Sequence, residues 1–390
     1  MMKSVDALIL LCRRLVQVES LSGQEGEVAA LITQQMADLQ FDEAWIDRTG
    51  NVIGRIKGTG AGQTVLFTGH MDCSPAVDRE SWAHDPLAAD VTEGRIYGLG
   101  ISDMKGSIAA MIYGIAQLKA AERLLHGDIY TAFTVSELTA PGAAMQEVIE
   151  QIKPDIIVLG EPTGLNLAIG QRGRAEIEVI SPAHPLKEQD EQGADHAITQ
   201  MMLFLEHMLR LERRIDDQLG RGTSIITSIS SISYPIQSVK PDHCKVMIDR
   251  RLLAYDIEQQ VLDEYRQLCS EVNISLMEHT HLSYTGTVLN SRSYYPAWLL
   301  DSNDDVVQSA ICALHEQGIP AELMCYHHHT HGSYAGGIAE IRAIGFGPSV
   351  EQMTPIVDDY IEIDQLIKAA EGYYALAKTL AVQPRRQINR

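Results

Sequence analysis

The sequence predicts an α/β protein of two domains, with a mostly parallel sheet as the main domain and a smaller α+β domain inserted into it. Three observations support this prediction. Continuous apolar runs, typical of strands buried on both faces, alternate with helical segments in the first part of the chain. From about residue 173 the strands alternate apolar and polar residues, as in a sheet with one exposed face. Buried runs return from about residue 290.

The elements of the main domain follow in chain order. Residues 4 to 38 have helical periodicity, and SLSGQEGEV within them is a turn and a helix start. The segments NVIGRIKG, QTVLFTGH, DIYTAFTV and PDIIVLG are predicted strands, and GSIAAMIYGIAQLKAAERLL is a predicted long helix. Because helices alternate with strands, the sheet should be mostly parallel, with its sites at the carboxyl ends of the strands.

The insert has its own pattern of elements. RAEIEVI, SIITSISSISY and HCKVMIDRRL are predicted strands, and HAITQMMLFLEHMLRLERRIDD and IEQQVLDEYRQLCSEV are predicted helices. After it, DDVVQSAICALHEQG is helical and EIRAIGFGP is a strand that ends in glycines. We therefore assign residues 1–172 and 290–390 to the main domain and residues 173–289 to the insert.

Composition and charge exclude several classes of function. The chain has 390 residues, of which 45% are hydrophobic, and its formal net charge is -21. Such a charge opposes binding to nucleic acid or to an anionic membrane surface, because both require clusters of Lys and Arg. No window approaches the roughly 18 uninterrupted apolar residues of a membrane span. We expect neither nucleic acid nor a membrane as a partner.

The N-terminus and the cysteines predict a cytoplasmic protein. The apolar stretch ALILLC is short and is followed by Arg13 and Arg14, whereas a secretory signal places its basic residues first. The six cysteines are scattered and include no CxxC pair. Reduced thiols in a cytoplasm fit this pattern best.

Polar residues stand at the points where the apolar strands end. His70 and Asp72 follow VLFTG, Glu137 follows AFTVS, and Glu161 follows IIVLG. Asp103, in YGLGISDMKGS, opens the predicted long helix. Any one of these has an ordinary structural explanation, since Asp caps helices and Glu closes loops. Their recurrence at the carboxyl ends of strands favours a functional site.

These residues form the ligand pattern of a divalent metal. An imidazole and two carboxylates, from His70, Asp103 and Glu161, are a three-ligand set that leaves a position open for water on zinc. Asp72 shares a face with His70 on an extended chain, so it could accept the other imidazole N–H and fix the tautomer. Glu137 is then the candidate general base.

The chain contains the motifs GHMDCSP, YGLGISDMKGS, GEPTG, GQRGRAEIEV, IDRRL, YYPAW and GFGP. Together these motifs resemble those of the M20 metallopeptidase family, which includes acetylornithine deacetylase, succinyl-diaminopimelate desuccinylase, aminoacylases and carboxypeptidase G2. The resemblance implies a zinc-peptidase-like catalytic domain that hydrolyses an amide next to a carboxylate, using two zinc ions. It also implies an insert that forms a homodimer and closes over the substrate as a lid.

The sequence departs from the family pattern at the second metal. In the family a second glutamate follows the base, but Leu138 stands at this position here, and Thr354 stands where a late histidine ligand is expected. Both ligands that would bind only the second ion are therefore missing, which predicts one zinc per chain. Cobalt or manganese would suit the same ligands. An alternative register makes Glu137 the ligand and Ser136 the vacant base position.

Six further residues are candidates for substrate binding. The family has an oxyanion-stabilising histidine in the insert; an ungapped alignment places Lys187 there, with His184 nearby. Lys187 is equally explained as a plain surface lysine. Arg250 and Arg251 match a region where the family holds the substrate carboxylate, and a surface salt bridge is the alternative explanation.

The segment CYHHHTHGS supplies the last two of these candidates, His329 and His331. Alternate residues of an extended chain share a face, so both could point into the cleft as replacement ligands or substrate contacts. A polar loop with exposed imidazoles is the simpler interpretation.

The expected function is a metal-dependent amidohydrolase acting on a small amide or peptide substrate that bears a carboxylate. Two alternatives remain open at this point, because fold resemblance does not fix function. One is an acyl-transfer, cyclising or eliminating enzyme on the same scaffold. The other is a ligand-binding relative without catalysis.

Overall fold

The computed structural model describes residues 5–121, 125–182, 196–232, 243–351 and 357–382. These residues contain eight α-helices: α1 Val5–Val16, α2 Gly26–Asp38, α3 Gly106–Ala120, α4 Ala143–Ile152, α5 Ala197–Leu209, α6 Glu258–Arg266, α7 Asp305–Glu316 and α8 Ile363–Leu380. They contain the strands β1 Glu43–Ile46, β2 Val52–Ile56, β3 Val65–His70, β4 Val91–Thr92, β5 Arg95–Tyr97, β6 Ile129–Thr134, β7 Ile156–Leu159, β8 Leu167–Gln171, β9 Gly173–Pro182, β10 Ile215–Asp216, β11 Gly220–Arg221, β12 Ser224–Ile232, β13 His243–Leu252, β14 Asn273–Leu276, β15 Glu278–Leu282, β16 Val288–Arg292, β17 Tyr294–Tyr295, β18 Trp298–Leu299, β19 Leu323–Tyr326, β20 Arg342–Gly345 and β21 Tyr360–Glu362.

The main domain is organised around a nine-stranded sheet. Its order is β1-β2-β6-β3-β7-β20-β8-β18, and β19 pairs with β8. The central strands β6, β3, β7 and β20 run parallel to one another, and antiparallel pairings lie towards both edges of the sheet. The predicted α/β class with a mostly parallel central sheet is therefore confirmed.

Both faces of this sheet are covered. In β3, Val65 and Phe67 belong to the core formed with α1, α3 and α8. Leu66, which points to the opposite face, packs with Met145 and Val148 of α4. This double burial explains why the central strands read as continuous apolar runs.

The insert contains a separate antiparallel sheet. Its order is β12-β13-β9-β14, and β17 also pairs with β9. Ala175, Ile177 and Val179 of β9 alternate towards a core that includes Phe204 of α5 and Tyr265 of α6. Strand pairing in this sheet continues to Tyr295, slightly beyond the predicted boundary at residue 290. The division at residues 173 and 289 stays a prediction.

The helix predicted over residues 196–217 is shorter in the structure. It ends at Leu209, and a two-residue strand forms at Ile215–Asp216. In the segment between them, Arg213 binds Glu264 of α6, so tertiary contacts take the place of further helical turns. Among the described residues no helix is both long and apolar enough to cross a membrane.

Candidate metal and catalytic site

Two glycines allow the strand ends to approach the helical layer. Gly69 precedes His70 at the end of β3, and Gly160 precedes Glu161 after β7. A Cβ at Gly69 would lie 2.5 Å from Cε of Met104, and one at Gly160 would lie 2.4 Å from Cε of Met111. A side chain at either position would require these methionine side chains to move.

The structure brings the three predicted metal ligands together. His70, Asp103 and Glu161 each offer one ligand atom, and these atoms all lie within 4.8 Å of one another. Nε2 of His70 is 3.1 Å from Oδ1 of Asp103. Asp103 lies in an irregular helical turn over Ile101–Lys105, so it precedes α3 and does not open it as predicted. One buried imidazole and two carboxylates suit zinc or a similar divalent ion.

The charges at this site favour a cation. Burial opposes a charge on His70, but the carboxylate of Asp103 outweighs it, with help from Asp72, and raises the pKa of His70 well above its usual range. Burial raises the pKa of Asp103, but His70 reverses this and leaves the pKa lowered. The residues present therefore stabilise a positive charge where the three ligand atoms meet, as a metal site requires.

Asp72 connects the imidazole to the loop that follows β6. Its carbonyl oxygen lies 2.9 Å from Nδ1 of His70, whereas its Oδ1 is 3.5 Å away. The expected contact is thus made more closely by the backbone than by the carboxylate. The carboxylate instead accepts N–H bonds from Glu137 at 3.1 Å and Leu138 at 3.0 Å, and a hydroxyl bond from Ser22 at 2.7 Å.

A second buried carboxylate, from Glu25, holds the same loop. Its Oε1 accepts the N–H of Ser136 at 2.9 Å and the hydroxyl of Ser136 at 3.4 Å. Ser136 has a φ of 56°, a left-handed conformation that costs a residue other than glycine roughly 1–2 kcal/mol. Together the carboxylates of Glu25 and Asp72 accept three successive N–H groups, which orients Glu137 at the turn.

Glu137 is a buried carboxyl group beside the ligands. It is 6% exposed, and its Oε2 accepts the N–H of Gly142 at 3.0 Å. Burial raises the pKa of Glu137 to about 7, although His331 and His70 counteract part of this effect. A carboxyl group with such a pKa can exchange a proton near neutral pH.

The histidine run lies beside this site. His331 is fully buried, and its Nδ1 is 3.1 Å from Oε1 of Glu161. His329 stacks on Tyr295 with the ring centroids 4.9 Å apart. His328 binds Glu351. The run is thus not simply an exposed polar loop, although His327 at its start is exposed.

The two arginines at the end of β13 face opposite sides of the strand. The guanidinium of Arg251 is 2.9 Å from Asp249. Burial lowers the pKa of His329 well below its usual range, and the positive charges of Arg174 and Arg251 lower it further. Arg250 is buried within the insert, 3.7 Å from the carboxylate of Asp256 and from that of Glu264. The structure therefore directs Arg251, and not Arg250, towards the histidine run.

A cavity adjoins the site on the side of the insert. It has a volume of about 490 Å³ and is lined in part by Leu138, Arg174, His279 and Tyr295. Leu138 is 43% exposed, so the alkyl side chain predicted at the second-metal position forms part of the cavity wall. The predicted residues Lys187, His184 and Thr354 lie outside the described residues.

Sequence reasoning missed Glu25, Ser22 and Tyr295 as parts of the site. Glu25 lies in SLSGQEGEV, where an acidic residue ahead of a helix has an ordinary structural explanation. Its role depends on a contact with Ser136, far along the chain, which no local pattern predicts.

Comparison with known proteins identifies the family. The model described as Peptidase family M20/M25/M40 matches residues 66–379. The chain belongs to this family. The YgeY protein of Escherichia coli strain K12 is 31% identical over 376 residues, which cover 93% of this chain and 92% of YgeY.

Two further comparisons agree with the M20 assignment. A succinyl-diaminopimelate desuccinylase from Gluconacetobacter diazotrophicus is 29% identical over 190 residues, covering 45% of this chain and 49% of that protein. The structure of aminopeptidase PepT from Bacillus cereus has a TM-score of 0.75 at 20% identity, covering 98% of this chain and 100% of that one. The chain is therefore an M20 family metallohydrolase, as the resemblance predicted.

Proposed function

We propose that this M20 protein hydrolyses an amide bond in a small substrate that bears a carboxylate. The observation that carries the proposal is the approach of the ligand atoms of His70, Asp103 and Glu161 within 4.8 Å of one another. The buried carboxyl group of Glu137 beside them supplies the proton acceptor. We propose one zinc ion per chain, with cobalt or manganese as alternatives, because Leu138 offers no ligand for a second ion.

The metal and the protein have separate tasks in this mechanism. A divalent ion at these ligands would polarise the scissile carbonyl and acidify water. Glu137 takes the proton from the attacking water and returns it to the leaving amine. Asp72 and Glu25 hold the loop that orients Glu137.

The substrate occupies the cavity that Leu138 and Tyr295 line. Arg251 binds its carboxylate, since a guanidinium can donate two parallel hydrogen bonds to such a group. His329 stacks on Tyr295, which lines this cavity, and we propose that it contacts the substrate from behind that ring. The size of the cavity, about 490 Å³, is in the range usual for small-molecule sites.

The proposal includes a homodimer and a cytoplasmic location. We propose a homodimer formed through the insert, because Ile225 and Ile229 of β12 are 57% and 60% exposed. The insert closes over the substrate as a lid, and Lys187 or His184 contributes to substrate binding. All six cysteines are free thiols, which fits a cytoplasmic enzyme.

The deciding experiment combines metal analysis with turnover. Purified protein should hold about one zinc per chain and cleave some N-acyl amino acids or dipeptides. Glu137→Gln should keep the zinc and lose at least about 100-fold in kcat, because general acid–base catalysis contributes roughly 10²–10⁴-fold. Glu150→Gln, the same substitution on the exposed surface of α4, is the matched control and should change neither quantity.

Other outcomes would reject the proposal. Equal turnover by the parent and Glu137→Gln would show that Glu137 takes no part in catalysis. A condensed or cyclised product would show acyl transfer in place of hydrolysis. Binding of a small acid with no cleavage of any substrate would show a protein without catalysis.

A further inference from the structure

His331 is a buried polar group that the proposed mechanism does not use. Its side chain is 0% exposed, and neither ring nitrogen has a hydrogen-bond partner. A neutral imidazole has one donor and one acceptor nitrogen, so both are unsatisfied here. Leaving a buried polar group without a partner destabilises the folded protein. Such a destabilisation calls for a compensating ligand.

The residues next to His331 are, by contrast, well bonded. The hydroxyl of Thr330 donates to Oε1 of Gln171 at 2.7 Å, and the N–H of Gly332 donates to the hydroxyl of Thr330 at 3.0 Å. Nε2 of Gln171 donates to the hydroxyl of Ser333 at 2.6 Å. Gln171 is itself 0% exposed. The loop is thus fixed on both sides of His331, whereas the imidazole of His331 lacks hydrogen bonds.

The imidazole of His331 faces the carboxylates of the site. Its Nδ1 is 3.1 Å from Oε1 of Glu161, yet the pair lacks the geometry of a hydrogen bond. It also acts electrostatically on Glu137 and Asp103. Two donor atoms that share one zinc ion, each about 2.0–2.2 Å away, are separated by roughly 3.0–3.5 Å. The distance between His331 and Glu161 meets this requirement, as does that of 3.1 Å between His70 and Asp103. His331 is not one of the three residues whose ligand atoms all lie within 4.8 Å of one another, so its imidazole has to move towards His70 and Asp103 when the ion binds.

We propose that His331 is an additional ligand of the divalent ion bound by His70, Asp103 and Glu161. The proposal rests on the proposed function, because it requires the ion at those three residues. Two imidazoles and two carboxylates would then hold the ion, and water would still have access to it, since catalytic zinc can expand to five ligands. His331 serves this ion and not a second one, because it contacts Glu161 and because Leu138 offers no ligand beside it.

The test measures metal binding directly. His331→Ala and His331→Gln are compared with His327→Ala, an exposed histidine of the same run. Zinc affinity is measured by competition with a chromophoric chelator, and the visible spectrum is recorded after loading with Co²⁺. Loss of a group that only orients a ligand costs 10–100-fold in metal affinity, so loss of His331 should cost at least about 10-fold and alter the Co²⁺ bands. His327→Ala should match the parent in both measurements.

A second measurement needs no variant and covers the case in which the substituted proteins do not fold. X-ray absorption of the zinc-loaded parent counts imidazole ligands, and two are expected. A count of one would overturn the proposal, as would unchanged affinity and Co²⁺ spectrum in folded His331→Ala. Two ions per chain, with one lost in His331→Ala, would assign His331 to a second ion and overturn it as well. Unchanged affinity in His70→Ala would instead reject the metal site of the proposed function.

Discussion

The ionised form of the buried Glu137 side chain destabilises the folded protein. Burial raises its pKa from 4.5 to about 7, so between these values the folded state holds a proton that the unfolded state has lost. The free energy of unfolding of the metal-free protein therefore falls as the pH rises from about 4.5 to about 7 through this group. The shift corresponds to a penalty on the order of 3 kcal/mol above pH 7.

Removing this charge should stabilise the metal-free protein at high pH. We expect Glu137→Gln, freed of metal with a chelator, to be more stable than the parent by roughly 2–3 kcal/mol at pH 8 and by at most about 1 kcal/mol at pH 5. Urea unfolding at both pH values measures this difference. Glu150→Gln gives the baseline for the same substitution at an exposed position. A difference between Glu137→Gln and the parent that does not change with pH would contradict the elevated pKa.

The loop after β6 depends on the two carboxylates that accept its N–H groups. Replacing Glu25 by Ala leaves the N–H and hydroxyl of Ser136 without their acceptor inside the protein. The free energy of unfolding should fall by about 1–3 kcal/mol. Because Glu137 follows Ser136, we also expect kcat to fall at least about 10-fold, since misplacement of a catalytic group slows the reaction. KM and zinc content should stay close to those of the parent.

Glu25→Gln separates this positioning role from a general loss of stability. The amide keeps an oxygen that can accept both bonds of Ser136, so Glu25→Gln should recover most of the lost kcat. Steady-state kinetics on Glu25→Ala and Glu25→Gln, with zinc analysis of each, make the comparison. If Glu25→Ala loses stability but keeps the parent kcat, Glu25 does not orient the base.

Strand β13 places two neighbouring arginines in different environments. Arg251 lies towards the histidine run, whereas Arg250 is buried between Asp256 and Glu264. Arg251→Met should raise KM for a substrate carboxylate by about 10–100-fold, because a hydrogen bond to a charged group contributes about 1.5–3 kcal/mol. Arg250→Met should instead lower stability by on the order of 3 kcal/mol, since it leaves a buried carboxylate unpaired.

Kinetics and urea unfolding of both variants test this division. Arg266→Met, at an exposed position of α6, is the matched control and should change neither KM nor stability. A larger effect on KM from Arg250→Met than from Arg251→Met would reverse the assignment.

Local patterns predict the elements of this protein better than they predict the contacts between them. Burial on both faces makes β3 and β7 recognisable, and the polar residues that end these strands lead directly to His70 and Glu161. The contribution of Glu25 is not predictable in this way, because it depends on packing between distant segments. Periodicity also overestimates the length of α5, because contacts of Arg213 with α6 override it.

The two domains place the site between a covered sheet and an exposed one. The main sheet is buried on both faces, so the proposed metal ligands at its strand ends lie on a rigid scaffold. The sheet of the insert packs α5 and α6 on one face, and its order leaves β12 as an edge strand among the described residues. An exposed apolar edge strand presents unpaired N–H and C=O groups to another chain. This asymmetry supports the proposal that association takes place through the insert.

We therefore expect a homodimer that single charges on β12 disrupt. Ile225 and Ile229 are 57% and 60% exposed, and Met202 and Leu209 of α5 are 63% and 71% exposed. Light scattering after gel filtration should give the parent about twice the chain mass of 43.0 kDa. Ile229→Lys should shift the mass towards 43.0 kDa, because a buried unpaired lysine at the interface would be costly.

The control for this prediction carries the same charge on the main domain. Leu10 of α1 is 55% exposed, so Leu10→Lys adds a lysine at a similarly exposed position away from the insert and should leave the dimer intact. A parent that runs as a monomer would refute the dimer. If Leu10→Lys dissociates the dimer and Ile229→Lys does not, the interface lies on the main domain, and β12 is free to move as part of a lid.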